Sequence, residues 1–389
     1  MENLLEWLTD NKVNTDNLKI IDQPNNERGV VSAKHIKNND FVFLIPKHLI
    51  ITNRTADQLP EIKQLDNVFQ NKTPTEKNII KIAVFMLFAE EFEGIMLNVD
   101  WTPYFDTLPE TLDHIPIFWK EDLEYIRGSY LHERIRERNR FIREEYRLLK
   151  SNVPDFDVFR FHDYHRMRSL VSSRNFKLVI NDDIVSAMVP FADMLNHSNT
   201  CQTRWSYNDQ LQSYQMVAKA PIRPGDEIMD SYGIKTMDSY FIYYGFILPD
   251  SDVRIYIKTR DFKGYINNNI NSNDFHSLLN YVRNNQSSSD RFINKYQDRH
   301  TEGKVMEQVY KLLNQLKKKY PHTANYYNKH KMTGKQNKKN AYTLMAGELE
   351  VIDYLMDKIA IIIKYLNGKK VKLDDDDVKK YVIDNVIRQ

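Results

Sequence analysis

The sequence predicts an α+β protein: a β-rich core assembled from separated pieces of chain, a helical insertion between those pieces, and an all-helical C-terminal domain. Three observations predict it. Two β-rich stretches with clear turn chemistry lie at 18–52 and 217–232, the chain between about 55 and 170 reads as helix, and from about 265 onward it turns helical again.

The first β unit runs "LKII", "NNERGVVSA", "IKNND", "FVFLIP". Gly29 allows a close approach that a side chain would block, and the Asn-Asn-Asp cluster at 38–40 is turn chemistry between two apolar runs. Together these predict a small hairpin unit. A matching arrangement is expected at "VAKAPIRPGDEIMDSYG", turning at Pro224-Gly225-Asp226.

Between them, "EKNIIKIAVFMLFAEEF" has the apolar density of a helix. Glu133–Lys150 mixes both charge signs, with Glu133, Glu137, Glu144 and Glu145 matching its arginines. It is expected to be a solvated helix laced by intrahelical ion pairs. Near the C-terminus, Leu344, Leu349, Ile352, Leu355, Ile359 and Ile362 recur at helical spacing, which predicts a core-facing helix over about 341–366. The segment 317–340, rich in Lys, Asn, Tyr and His, reads as a mobile connection or a basic face, and Asp374–Asp377 as a solvated acidic turn. The expected domains are 1–265, carrying the insertion at about 55–165, and a helical domain over 266–389.

Composition narrows the function. With 389 residues the chain can bury a large core. Its 55 basic and 53 acidic residues give a net charge of +2, which argues against a dedicated nucleic-acid or membrane-surface binder. A single cysteine, Cys201, excludes an internal disulfide framework and a cysteine-rich zinc cluster, and nothing marks it as an activated thiol. The N-terminus is acidic and amphipathic rather than basic and then apolar, so no secretory signal is read there. A cytoplasmic or nuclear monomer without a membrane span is expected.

Several chemistries are absent. There is no G-x-G-x-x-G loop, no phosphate-binding G-x-x-x-x-G-K-[ST] loop and no H-E-x-x-H. His162 and His165 have metal-compatible spacing without an evident third ligand, so no metal site is expected.

The most informative stretch is "PFADMLNHSNT", residues 190–200, where an apolar run ends in an Asn-His pair. Its complement lies downstream in "MDSYG" followed by "SYFIYYGFILPD", and upstream in "LVSSRNF". With "ERGVVSAKHIKNNDFVFLIP" and "WTPYFDTLP", these five ordered motifs resemble the SET-domain protein methyltransferases, in the branch of the Rubisco large-subunit lysine methyltransferase. The resemblance runs from Leu5 to about Arg254, with a weaker likeness to that branch's C-terminal substrate-binding domain.

This resemblance implies a β-rich SET core in which the Asn-His and Tyr-Gly segments cross as a pseudoknot, with S-adenosyl-L-methionine as cofactor and a protein bearing the target lysine as partner. It implies cofactor contacts from Arg28, Arg174, Asn196, His197, Tyr232, Tyr244 and Phe246. Arg174 suits the cofactor carboxylate, because a guanidinium matches a carboxylate with two parallel hydrogen bonds. Tyr232 is the implied catalytic residue, and Phe176, Ala192, Asp193 and Tyr207 the implied substrate-binding ones. Read singly, Asn196 and His197 also serve as turn caps, Arg174 also pairs with an acid such as Asp193, and the tyrosines also fill a β core.

Relatives that modify an actin histidine carry a polar Asn and a bulky Trp where this chain has Phe176 and Ala192. An imidazole needs a hydrogen bond to fix its tautomer, whereas an aliphatic amine chain prefers an aromatic wall, so lysine is the expected acceptor, with a histidine acceptor or a non-catalytic scaffold of the same fold as the alternatives. Two departures from the branch are visible: Thr236-Met237 replaces a Ser-Asn pair, and the first loop reads Asn-Glu-Arg-Gly.

Overall fold

Strand pairing brings together residues far apart in the chain. The computed structural model describes residues 2–23, 27–91, 95–286, 296 and 298–387. Leu18–Gln23 and Glu27–Ser32 form an antiparallel hairpin, with Leu18 opposite Ser32; its tip, 24–26, lies outside the described residues. The strand Phe41–Pro46 does not join that hairpin. It pairs instead with Ser213–Ala218, which pairs on its other side with Thr203–Asn208. A second three-stranded sheet is built from Ile51–Thr52, Asp183–Met188 and Phe176–Ile180.

The expected second hairpin is corrected by the structure. The turn at Pro224–Asp226 forms, with Gly225 at φ 87°, but its two arms do not pair with each other. They bridge back to the first β unit, Ile222 to Ile36 and Glu227 to Val31. Each arm carries too few alternating apolar residues to bury a face alone, so both complete an existing layer.

The insertion contains the helix Pro74–Glu91, in which every residue from Ile80 to Ala89 is buried. Even Lys81 lies inside, held by Asp57 at 2.7 Å and Asp66 at 2.6 Å. The helix Tyr130–Asn152 also departs from expectation. Only Glu144–Arg147 is an ion pair within it; Glu133 binds Lys258, and Glu145 is buried against Lys72 at 2.6 Å, Arg168 and the Tyr164 hydroxyl. Leu131, Ile135, Ile142 and Leu149 recur at helical spacing and are buried, so this charged helix is not solvated all round.

Packing divides the chain into two compact units: residues 1–112 with 140–234, and 113–139 with 235–389. Residues 235–265 thus pack with the helices that follow them. In the second unit the long helix Gln336–Leu366 buries all six residues of the expected stripe. The segment 317–340 is ordered structure rather than a loose connection, containing the helix Ala324–His330 and the start of the long helix. The acidic run at 374–377 caps a helix, with Asp375 accepting the Val378 N–H, and Lys358 pairs with Asp375. Among the described residues no helix is long and apolar enough to cross a membrane, and no cluster of three metal-ligating side chains occurs.

Candidate active site

Two segments of the first unit run side by side in parallel. Ser198 donates its N–H to the Asp230 carbonyl at 2.9 Å, and Asp230 donates to the Asn196 carbonyl at 2.8 Å. In such a bridge the peptide of the central residue, His197, points away from its neighbour. The second segment is also held from its flank, where Gln202 donates to the Glu227 carbonyl and Thr203 to that of Met229.

The crossing continues through side chains. His197 Nδ1 accepts the Tyr232 N–H at 3.0 Å, and the two rings stack at 5.0 Å. An accepting Nδ1 carries no proton, so the neutral ring holds its proton on Nε2. The Tyr232 hydroxyl donates to the Leu195 carbonyl at 2.7 Å. Toward any ligand its oxygen therefore acts as an acceptor.

Asn196 connects this crossing to a charged cluster. Its amide donates to the Arg28 carbonyl and to Glu227 Oε1, each at 2.8 Å, which leaves Oδ1 as the acceptor with which it could meet an ammonium. The Arg28 guanidinium is aimed by the Thr107 carbonyl. Arg174, the last residue of the helix Phe161–Arg174, donates from Nη1 to the Asp193 carbonyl at 2.7 Å and lies 3.5 Å from its carboxylate. The pairing that the sequence left open is thus present. Tyr104 donates to the same carboxylate at 2.9 Å.

Burial holds the Asp193 carboxyl above the usual carboxylate range, although Arg174, Tyr104 and Arg28 pull the other way. Burial also lowers the Arg28 guanidinium from its ordinary value, and the like charge of Arg174 adds to that. Two guanidiniums facing one buried carboxyl leave an excess of positive charge. That arrangement suits a ligand carboxylate, and with the Asn196 acceptor it suits the amino-acid end of S-adenosylmethionine.

Asp193 and Ala192 sit in a buried 3-10 turn, Ala192–Met194, entered through Phe191 at φ 70°. Phe176 opens its strand and packs edge-on against Trp205 at 5.3 Å and Tyr214 at 5.4 Å. Tyr207 stands directly opposite Tyr214 in the ladder. The buried hydroxyls of Tyr207 and Tyr214 have no hydrogen-bond partner among the described residues. Burial drives the Tyr214 hydroxyl far above its ordinary value, and the nearby Asp230 and Asp193 charges add to this. Tyr214 thereby links the aromatic wall to both halves of the site. Tyr104, Trp205 and Tyr214 were not singled out in the sequence; the alternation within "TRWSYN" and "SYQMVA" was the one available signal.

Tyr244 and Phe246 belong to the second unit. The helix Met237–Tyr244 ends at Gly245, φ 77°, and Phe246 then stacks on Tyr240 at 5.2 Å with Tyr244 6.0 Å away. Burial pushes the Tyr244 hydroxyl up to about 12. The structure thus brings Arg28, Arg174, Asp193, Asn196, His197 and Tyr232 together in the first unit, where Ala192 shares the turn of Asp193 and Tyr214 meets Phe176 and pairs with Tyr207.

The chain resembles known proteins over most of its length. Curated relatives include the actin-histidine N-methyltransferases of Xenopus tropicalis, 25% identical over 262 residues, Gallus gallus, 26% over 270, and Homo sapiens, 24% over 270. These matches cover 64–66% of this chain, and the chain spans less than half the length of these relatives, 43–44%. Among solved structures, the SET domain of LSMT bound to lysine and AdoHcy superposes with a TM-score of 0.77 at 18% identity, covering 100% of this chain and 98% of that one. Rubisco LSMT bound to sinefungin and monomethyllysine gives 0.78 at 19%, covering 95% and 94%. Rubisco LSMT bound to AdoMet gives 0.77 at 18%, covering 98% and 95%. At these identities the likeness shows a shared fold. The model for the SET domain matches residues 27–233, more than half of the sequence and the whole stretch from Arg28 to Tyr232, so this chain belongs to the SET-domain family.

Proposed function

We propose that this chain is an S-adenosylmethionine-dependent protein N-methyltransferase whose acceptor is a lysine side chain. The observation that carries the methyltransferase reading is the position of Asn196: one side chain ties the Arg28–Arg174 cluster to the crossing that holds Tyr232. When bound, S-adenosylmethionine supplies an electrophilic methyl group on a sulfonium. Arg28 and Arg174 hold its carboxylate, Asn196 Oδ1 accepts from its ammonium, and the outward peptide of His197 meets its adenine edge.

Methyl transfer by in-line displacement asks the protein mainly for alignment and for a neutral acceptor. A lysine amine has a pKa of about 10.4, so reaching the neutral form at pH 7 costs roughly 4.6 kcal/mol unless the site helps. An aromatic wall of Phe176, Trp205 and Tyr214 helps, because burial disfavours the ammonium. The Tyr232 oxygen accepts a hydrogen bond from the amine and so directs its lone pair. A folded protein carrying the target side chain is the proposed partner, met by a monomer in the cytosol or nucleus.

A histidine acceptor is the second reading, favoured by the names of the curated relatives. The Tyr207 and Tyr214 hydroxyls are the groups that could orient an imidazole. The lysine reading rests on Phe176, which offers a ring and no hydrogen bond. Incubation with methyl-labelled cofactor and a naive lysate, followed by acid hydrolysis, separates the two. Labelled methyllysine is expected; methylhistidine without methyllysine rejects the choice.

A further inference from the structure

The second unit carries a surface that the proposed chemistry does not use. Residues 317–340 hold eight lysines and two histidines and no acidic residue, while the whole chain has a net charge of only +2. The remainder of the chain is therefore net acidic, and the asymmetry is built into one ordered stretch. Among the described residues, only Lys317 of the eight lies within ion-pair distance of a carboxylate, that of Asp353. The other carboxylates that touch this stretch meet uncharged side chains: Glu348 accepts from the Tyr320 hydroxyl, Glu350 bonds Asn328 and Asp122 bonds Asn337.

Two of the lysines are also placed against local stability. The helix Gln336–Leu366 begins with no side-chain cap and no acidic residue in its first turn, yet carries Lys338 and Lys339 there. Cations at a helix N-terminus oppose the helix dipole, by up to about 1 kcal/mol each. An anionic partner would supply the missing negative charge.

We propose that this surface, centred on Lys318, Lys319, Lys329, Lys335 and Lys338, docks an acidic segment of a partner protein. Nucleic acid fits less well. The stretch has no arginine to grip phosphates with two bonds. Its aromatic faces are already occupied: Tyr326 is sandwiched between His322 at 3.9 Å and His330 at 4.3 Å, and Tyr327 is buried against Tyr342. A membrane surface fits less well too, since Met332 is the one large apolar side chain exposed there among the described residues. For an acidic segment, Met332 provides a single apolar anchor amid the charges. The inference stands on electrostatics alone and does not depend on methyl transfer.

The test uses the full chain and a labelled peptide of glutamates surrounding one leucine, followed by fluorescence anisotropy. A single-stranded thymidine oligonucleotide and phosphatidylserine vesicles serve as comparators. Binding of the peptide is expected, weakening as salt rises from about 50 to about 200 mM. The exposed set Lys318→Glu, Lys319→Glu, Lys329→Glu and Lys335→Glu should weaken it at least about tenfold. The set Lys19→Glu, Lys34→Glu, Lys37→Glu and Lys63→Glu, which changes net charge equally elsewhere, should not. Both variants should melt with the wild-type profile. Absence of peptide binding, equal loss in the two variants, or tighter binding of oligonucleotide or vesicles than of peptide overturns the proposal.

Discussion

His197 Nδ1 accepts the backbone N–H of Tyr232 at 3.0 Å while the two rings stack, so the orientation of one residue sets that of the other. Tyr232→Phe removes the bond to the Leu195 carbonyl and leaves the stack. It should cost about 1 kcal/mol of stability, retain cofactor uptake and lower transfer by about a hundredfold. His197→Ala removes both ties and should impair uptake as well as transfer. Side-by-side calorimetry and initial rates check the split; unchanged rates in Tyr232→Phe remove that residue from the mechanism.

Arg174 satisfies the carbonyl of Asp193 and faces its buried carboxylate. Arg174→Met strands that carboxylate and should destabilise the fold by about 1–3 kcal/mol. Adding Asp193→Asn should recover part of the loss, because a neutral amide tolerates burial better. A double-mutant cycle by chemical denaturation measures the coupling; additive losses contradict the pairing.

Burial raises the Asp230 carboxyl, at the centre of the crossing, to about 6. The folded protein holds this proton while the unfolded chain has lost it above about pH 4. Stability from this group therefore falls as pH rises from about 4 to 6, and the full penalty persists above that. Asp230→Asn should flatten this window and add up to about 2–3 kcal/mol at pH 7, less any weakening of the Ser231 N–H bond. Melting curves across pH 4–8 test it; an unchanged slope in the variant contradicts it.

Gly245 sits at φ 77°, and a Cβ there would lie 2.5 Å from the His114 carbonyl oxygen. Gly245→Ala must therefore shift the turn that sets Tyr244 and Phe246. A loss of about 2 kcal/mol or more is expected by denaturation, and a near-neutral result would show that the turn relaxes freely.

The elements legible in the sequence were those with local signatures. The apolar stripe of Gln336–Leu366, the turn at Pro224–Asp226 and the motifs around Arg174, Asn196 and Tyr232 all report neighbours close in sequence. What was hidden depends on distant partners. Phe41–Pro46 gives no sign that it pairs with 213–217 rather than its own hairpin, and Glu145 looks solvated until Arg168 and Lys72 close over it. Tyr104 and Tyr214 gain their roles only when folding sets them beside Asp193 and Phe176.

The most direct test is calorimetric titration of S-adenosylmethionine into the folded chain and into Arg174→Met. Saturable uptake at one site per chain, weakened at least about tenfold in the variant, is the predicted result. A folded wild-type chain that takes up none, or a variant that binds equally well, would contradict the assignment of the Arg28–Arg174 cluster as the seat of the methyl donor.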